Sequence, residues 1–332
     1  MSGMLTEYYK LAMQPFGVTP DPRFLYLGAT HREAMASLLH GIRSGRGFTA
    51  IIAVPGMGKT TLLINLQHTL KSDTKTVFLF QTMRGEAEFL SALLADLGIE
   101  DHDKSITRMY AKLNDYLLME GRNGRQAVVI LDEAQNLNEP VLEAVRMLSN
   151  FETASSKLLH VVLSGQPQLA EKLSLGSLTQ LRQRISIVAR LVPLNAHETR
   201  EYIEHRLKVA GHSSGKGVFT DTAYALIAEH SQGIPRNISN LCFNAMSQGC
   251  ALKCPFLGDS IVQEVIQDLD LDSINLPPRG IEQQSSRPSP FSGESSFSAE
   301  LGAEVLSATA ILASLAEEKV VRFDFAAQRG TL

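Results

Sequence analysis

No segment constrains this chain more than Ala53-Val54-Pro55-Gly56-Met57-Gly58-Lys59-Thr60-Thr61. It follows an apolar, β-branched run at 48–54 and opens a stretch of helical periodicity at 60–71. In such a strand-to-helix turn, Gly56 and Gly58 let the backbone curl until successive N–H groups point at one centre. The first turn of the helix adds its positive dipole end. Amide hydrogens, a lysine and a hydroxyl at this spacing suit a chain of phosphates. Lys59 is expected to bridge the β- and γ-phosphates of ATP, and the Thr60 hydroxyl to take a coordination position on Mg2+. Pro55, Met57 and Thr61 complete the nucleotide-binding set with the two glycines. The strict motif begins with glycine where this sequence has Ala53. That position closes the strand instead of cradling phosphate, so a small residue serves.

The strands come at a regular rhythm. Runs at 48–54, 76–80, 127–131, 160–164 and 185–191 are apolar almost throughout, which suits strands buried on both faces of a sheet. Helical periodicity fills the intervals at 60–71, 86–97, 106–120 and 139–152. This alternation predicts an α/β fold of P-loop NTPase type, a parallel sheet sandwiched by helices. After Pro193 the strand signals stop. Segments 198–210, 220–230, 235–254 and 259–269 read as helices, with Asn195, Thr220 or Asp221, and Asp259 placed as N-caps and Pro235 as an N1 proline. The expected organisation is an N-terminal segment and helix over 1–46, an ATP-binding αβα domain over 47–195, a small all-α lid over 196–272 and a tail over 273–332. The tail is rich in serine and proline, a composition that buries too little apolar surface to order itself. Within it Leu301, Val305, Ala308, Leu312 and Leu315 share a helical face, suited either to docking on the body or to capturing a partner.

The run at 127–131 ends in Asp132-Glu133. An uncompensated buried carboxylate is unfavourable by several kcal/mol or more, so a pair of acids at a strand tip implies something to offset them. Mg2+ would do so: Asp132 then holds the ion's water shell and Glu133 polarises the attacking water. Alone, Asp-Glu after a strand also fits an N-cap; beside a phosphate loop it fits catalysis, at the tip of a strand adjacent to that loop. The next strand ends in Leu163-Ser164-Gly165-Gln166-Pro167, where Gln166, or else Ser164, can reach the γ-phosphate or the water. Arg182 and Arg184 flank the start of the last strand. Such arginines are either solvated or enter a neighbouring subunit's site, where a finger of this kind contributes roughly 10³–10⁵ in rate; Arg184 is the favoured one. Arg236 opens the helix at 235–254 against its positive dipole end, which implies an outside anion such as phosphate. The catalytic set is therefore Glu133, Lys59, Gln166 and Arg184, the metal set Thr60 and Asp132, with Arg236 joining the nucleotide contacts.

Composition narrows the partners. A chain of 332 residues with 44% apolar residues has room for two cores. Its net charge of -4 argues against a general coating of nucleic acid, though a local basic patch fits within that total. Cys242, Cys250 and Cys254 show no C-x-x-C pair and no histidine between them, so they read as small apolar side chains on a helix rather than a zinc site. Reduced cysteines suggest the cytoplasm. Residues 1–10 lack the apolar core of a signal peptide, and the apolar-rich run at 305–316 falls short of the roughly 20 residues of a membrane span. A soluble, cytoplasmic chain is expected, reaching the inner membrane only peripherally through a partner.

Taken together, these residues resemble the AAA+ superfamily, and more narrowly the ATPase domain of the general secretion pathway protein A (ExeA-type) family. The narrower likeness is carried by Pro15-Phe16-Gly17-Val18-Thr19-Pro20-Asp21-Pro22-Arg23-Phe24-Leu25-Tyr26-Leu27, His31-Arg32-Glu33-Ala34 and Leu38-Leu39-His40-Gly41-Ile42. Asp132-Glu133-Ala134-Gln135-Asn136-Leu137, Gly165-Gln166-Pro167-Gln168-Leu169 and Gly233-Ile234-Pro235-Arg236 extend it over residues 6–270. The resemblance implies an N-terminal segment lying near the adenine, Gln166 in the first sensor position, Arg236 in the second, and subunits that assemble around ATP as a homo-oligomer. Transposon target-selection ATPases share this outline and would bring DNA as partner. Members of the ExeA-type family continue into a membrane span and a peptidoglycan-binding module, where this chain has its serine-rich tail. Similar stand-alone ATPases accompany exopolysaccharide and protein-sorting gene clusters.

The function expected from the sequence is ATP binding and hydrolysis coupled to assembly or remodelling of an unidentified protein partner, in secretion or in envelope and exopolysaccharide export. A nucleotide-gated binding module that recruits DNA or a protein is the alternative. Phosphoryl transfer to a small acceptor fits less well, because no arginine-rich acceptor lid is visible and Glu133 suits water.

Overall fold

The computed structural model describes residues 2–269 apart from 71–73, 81–82, 103–104, 155 and 214–216. Five strands, β1 (Phe48–Ile52), β2 (Thr74–Leu79), β3 (Gln126–Leu131), β4 (Leu159–Gly165) and β5 (Ile185–Arg190), pair in parallel in the order β2-β3-β4-β1-β5. The helices on the sheet are α2 (Ala29–Arg43), α3 (Lys59–Thr69), α4 (Glu86–Asp96), α5 (Ile106–Arg122), α6 (Glu139–Met147), α7 (Pro167–Ser174) and α8 (Thr179–Arg184). A short α1 (Ser2–Tyr8) precedes them, and α9 (Ala196–Val209), α10 (Asp221–His230), α11 (Pro235–Ala251) and α12 (Asp259–Leu269) follow.

The central strands divide their side chains between two cores by simple alternation. Ala50, Val129, Leu131, Val161 and Leu163 face a core shared with α4–α8. Ile51, Val128, Ile130 and Val162 face the opposite core, closed by α2 and α3. Each fully buried side chain of this kind contributes roughly 1.5–3 kcal/mol, so β1, β3 and β4 cannot slip register without turning both cores inside out. Burial on both faces does not extend to the edges. In β5, Ser186 and Val188 are exposed between buried Ile185 and Ala189, and in β2 only Val77 is fully buried. An edge strand has a single neighbour to cover it, which hydrophobicity alone does not reveal.

The strand order corrects one expectation. The acidic strand β3 is not next to β1; β4 lies between them. Gly165 pairs with Ile52, and Val162 and Leu163 pair with Ile130 and Leu131, so the tip of β4 separates the phosphate loop from the two acids.

The remaining helices build a third core with the N-terminal segment, in which Leu5, Phe16 and Phe24 join Ile203, Ile227, Cys242 and Val262. Their starts follow local capping chemistry. Asn195 Oδ1 accepts from the Glu198 N–H at 2.9 Å while Glu198 Oε2 accepts from the Asn195 N–H at 3.2 Å. Thr220, not Asp221, caps α10 by accepting from the Ala223 N–H at 3.2 Å. Asp259 is the first residue of α12 rather than its cap. Two helices end earlier than their periodicity suggests. After Met147 the backbone tightens into a 3-10 turn at Leu148–Asn150, and after Ala251 the chain turns through Lys253 at φ +55°. Cys254 therefore lies in a turn and, like Cys250, is half-buried; only Cys242 is fully buried. Among the described residues, no helix is long and apolar enough to cross a membrane. The chain divides after Asn275, and the expected tail, with its helix through Leu301 and Leu315, lies outside the described residues.

Candidate functional site

The loop after β1 takes the curl its glycines permit: Gly56 has φ +84° and Gly58 φ +81°, both left-handed. α3 begins at Lys59, so the loop's amides and the positive end of the helix converge. Met57 is fully buried and anchors the loop in the core beneath. Its carbonyl accepts from His31 Nε2 of α2 at 3.0 Å. That fixes the proton on Nε2 and leaves Nδ1 without a partner among the described residues. Lys59 is 5% exposed, and its Nζ donates to the Ala53 carbonyl at 3.1 Å. Burial draws its pKa below the ordinary lysine value, against the pull of Glu133 and Asp132 and with a push from Arg236. A lysine this buried, whose ammonium has a single carbonyl acceptor among the described residues, is suited to receive an anion.

Asp132, 6% exposed at the end of β3, gathers three donors: the Thr60 hydroxyl at 2.6 Å, the Ser164 hydroxyl at 2.7 Å and the Glu133 N–H at 2.9 Å. The chain's own groups thus offset the carboxylate that the sequence left to a metal ion. Thr60 comes from α3 and Ser164 from β4, so the bond from Thr60 to Asp132 spans the intervening strand tip. Glu133 turns away through a left-handed backbone, φ +50°. Its Oε2 accepts from Gln135 Nε2 at 2.5 Å and from Gln166 Nε2 at 3.1 Å. Burial alone would raise the Glu133 carboxyl. Donation from Gln135 and Gln166, with the charges of Lys59 and Arg236, outweighs it and holds the group below the usual carboxylate value. Of the two residues offered for the γ-phosphate, Ser164 is fully buried and bonded to Asp132, whereas Gln166 is half-buried beside Glu133.

Arg236 reaches the same spot from the helical layer. Its backbone N–H donates to the Gly56 carbonyl at 3.1 Å. A Cβ on Gly56 would stand 2.9 Å from Arg236 Cβ and 3.0 Å from Ile234 Cγ2, so glycine is needed for contact as well as for its φ. Behind this joint, Gly233 (φ +68°) accepts from the Leu194 N–H at 2.9 Å. Glu198 binds the first N–H of α2, at Ala29, across 2.8 Å. Arg206 donates to the Pro15 carbonyl at 2.6 Å and stacks over Phe24 at 4.9 Å, clamping the N-terminal segment to α9.

Pro55, Gly56, Met57, Gly58, Lys59, Thr60, Thr61, Asp132, Glu133, Gln166 and Arg236 are thereby brought to one end of the sheet. Arg182 and Arg184 are not. Both are exposed, and Arg184 precedes Ile185, which pairs with the first residue of β1, while the loop follows the last. The Arg184 charge acts instead on Glu152, whose carboxyl is held low chiefly by Lys157. Sequence reasoning missed His31, Gln135 and Lys172. The first two lie inside segments that carry the family resemblance, a signal that marked them without a role. Lys172 carries no local signal.

Residues 42–173 match the AAA domain family. That stretch is an AAA domain, and the parallel sheet around it has the AAA+ fold. General secretion pathway protein A of Aeromonas hydrophila is 36% identical over 244 residues, 73% of this chain and 44% of that protein. An uncharacterized HTH-type transcriptional regulator of Methanocaldococcus jannaschii is 24% identical, over 72% of this chain and 66% of its own length. The chain thus spans less than half of the first relative and about two thirds of the second. Among solved structures, the Aeropyrum pernix ORC2 protein superposes with a TM-score of 0.55 at 17% identity, covering 76% of this chain and 71% of that one. Drosophila ORC bound to DNA gives 0.58 at 18% identity, covering 79% and 65%. These structural likenesses are likenesses of the AAA+ fold alone.

Proposed function

We propose that this AAA+ chain binds Mg·ATP at the β1–α3 loop and hydrolyses it to ADP and phosphate. The observation that carries the reading is the pairing of Thr60 with Asp132 beside a carboxylate, Glu133, whose second oxygen is free of bonds among the described residues. A hydroxyl and a carboxylate 2.6 Å apart are hard oxygen donors of the kind Mg2+ takes, one or two from protein and the rest from phosphate and water. When bound, the ion neutralises charge on the β- and γ-phosphate oxygens. Lys59 gives up its carbonyl and takes those oxygens, the loop amides hold the chain of phosphates, and Glu133 accepts the proton of the attacking water. Gln166 orients that water or the γ-phosphate, and Arg236 completes the contacts from the helical layer, which acts as a lid.

Arg184 cannot serve its own chain's nucleotide from the opposite end of the sheet. Its exposure supports a homo-oligomer in which it reaches a neighbour's γ-phosphate. By similarity to general secretion pathway protein A, the driven partner is a protein assembly of secretion or envelope export, met in the cytoplasm or at the inner membrane. The deciding experiment replaces Glu133 with Gln. Nucleotide affinity should stay within a few-fold while steady-state turnover disappears; unchanged turnover removes Glu133 from the mechanism, and absent Mg·ATP binding by the wild-type protein removes the proposal.

A further inference from the structure

Gln135 sits in a single 3-10 turn, Ala134–Asn136, directly after the two acids. Its amide is used at both ends. Nε2 donates to Glu133 Oε2 at 2.5 Å, and Oε1 accepts from the backbone N–H of Gln166 at 3.1 Å. A carboxylate can only accept and an N–H can only donate, so these partners fix the amide's orientation. The side chain therefore links the loop after β3, which carries the water-activating group, to the loop after β4, which carries the sensor.

The surroundings are shaped for this link. A Cβ at position 165 would stand 2.9 Å from Gln135 Oε1 and 2.7 Å from Leu169 Cδ2, so the amide has its place because residue 165 is glycine. Lys172, one turn from the end of α7, donates to the backbone carbonyls of Gln135 at 2.6 Å and Leu137 at 2.8 Å. α7 thus grips the turn at both of its ends. Gln166 Nε2 shares the same Glu133 oxygen at 3.1 Å. That second bond stretches or breaks once the Gln166 side chain turns toward a phosphate. The Gln135 bond need not, because it is anchored on the Gln166 backbone rather than its side chain.

We infer that Gln135 is the positioning residue of the site: it holds one oxygen of Glu133 in register with the start of α7, so that the other faces the attacking water. The inference rests on the hydrolytic role given above to Glu133. Gln135 touches no substrate in this scheme and acts only through Glu133 and Gln166.

The test compares wild type with Gln135→Leu and Gln135→Glu in steady-state ATP hydrolysis, alongside ADP titration and thermal melting. Leucine is one bond shorter but similar in volume, lacks the amide, and leaves the Lys172 bonds, which go to main-chain carbonyls, in place. Misplacing a reacting group by about an ångström lowers rate by roughly 10²-fold, so kcat of Gln135→Leu should fall by about that factor. KM and ADP affinity should stay within about twofold, since uniform binding is not touched. Gln135→Glu, which sets a carboxylate against Glu133, should fall at least as far. In single-turnover measurement of the slow residual reaction of Glu133→Gln, adding Gln135→Leu should change nothing, because residues acting through one another are not additive. Three results overturn the inference while leaving the ATPase standing: an active Gln135→Leu with unaltered kcat, a defect confined to KM, or the same fold-loss repeated in the Glu133→Gln background. A wild-type protein that binds but never turns over Mg·ATP overturns both.

Discussion

His160 is a proton-linked weak point of the sheet, and its effect on stability can be worked from its surroundings. It lies on β4, 4% exposed, with Nε2 3.4 Å from the Thr49 hydroxyl of β1 and Nδ1 without a partner among the described residues. Burial pushes its pKa down from the ordinary 6.5 to about 4. A depressed histidine is neutral in the fold and protonates more readily in the unfolded chain. Between those two values the unfolded state binds more protons, so stability rises with pH and is lost as pH falls. From pH 8 to pH 5 the ring removes about 2 kcal/mol, approaching ~3 kcal/mol below its folded pKa. Replacing His160 with Leu, which fills the same apolar site without a titrating group, should abolish that component. Urea unfolding of both proteins at pH 8 and pH 5 measures it, and the subtraction cancels contributions from the carboxylates, His31 and His205. Parallel pH profiles for wild type and variant would refute the reasoning, and a His160→Gln control would separate titration from packing.

Three other substitutions probe the site. Thr60→Val keeps shape but strips a donor from buried Asp132; it should destabilise the protein by about 1.5–3 kcal/mol and erase the Mg2+-dependence of nucleotide affinity, checked by chemical unfolding and by titration with and without the ion. Gly233→Ala places a Cβ 2.0 Å from the Leu194 carbonyl oxygen at a φ of +68°. The shift it forces should lower stability by at least about 2 kcal/mol and weaken ADP binding through displaced Arg236, a pair of effects read by melting and titration. Arg184→Ala should lose turnover but retain ATP binding, and mixing it with Glu133→Gln should restore part of the activity. No recovery in mixed samples that co-assemble would place Arg184 outside catalysis.

Contiguity separates what could be read from the sequence from what could not. The phosphate loop was legible because strand, glycines, lysine, threonine and helix follow one another, each requiring the next. Asp132 and Glu133 were legible because charge at the end of an apolar run is anomalous. Strand order is another matter. Nothing in the run at 160–164 says that it inserts between the loop strand and the acidic strand, so Ser164 was weighed as a sensor when its hydroxyl is bonded to Asp132. Gly233 was visible as a residue but not its neighbour, since the Leu194 carbonyl that excludes a side chain there lies 39 positions earlier in the chain. The edge strands were overdrawn as fully buried for the same reason: periodicity reports how many faces are apolar, not how many are covered.

Two adjacent carboxylates acquire different characters here from donor geometry alone. Asp132 has three donors shared between its two oxygens and little room to move. Glu133 has both its side-chain amide donors on one oxygen, with the other unbonded among the described residues. The first arrangement suits a fixed hold on an ion's surroundings, the second a group that must take a proton and release it. Facing them are two cations from different layers. Lys59 rises from the sheet layer and Arg236 comes from the helical one, and Arg236 lowers the lysine's pKa by its proximity. Like charges converging on one loop oppose each other unless an anion stands between them. The Arg236 N–H already bonds the Gly56 carbonyl at 3.1 Å, so a triphosphate there would relieve that repulsion at a joint the chain itself closes. On the ATPase reading proposed above, the energy of binding phosphate would be shared between the loop that carries Lys59 and the helical layer that carries Arg236.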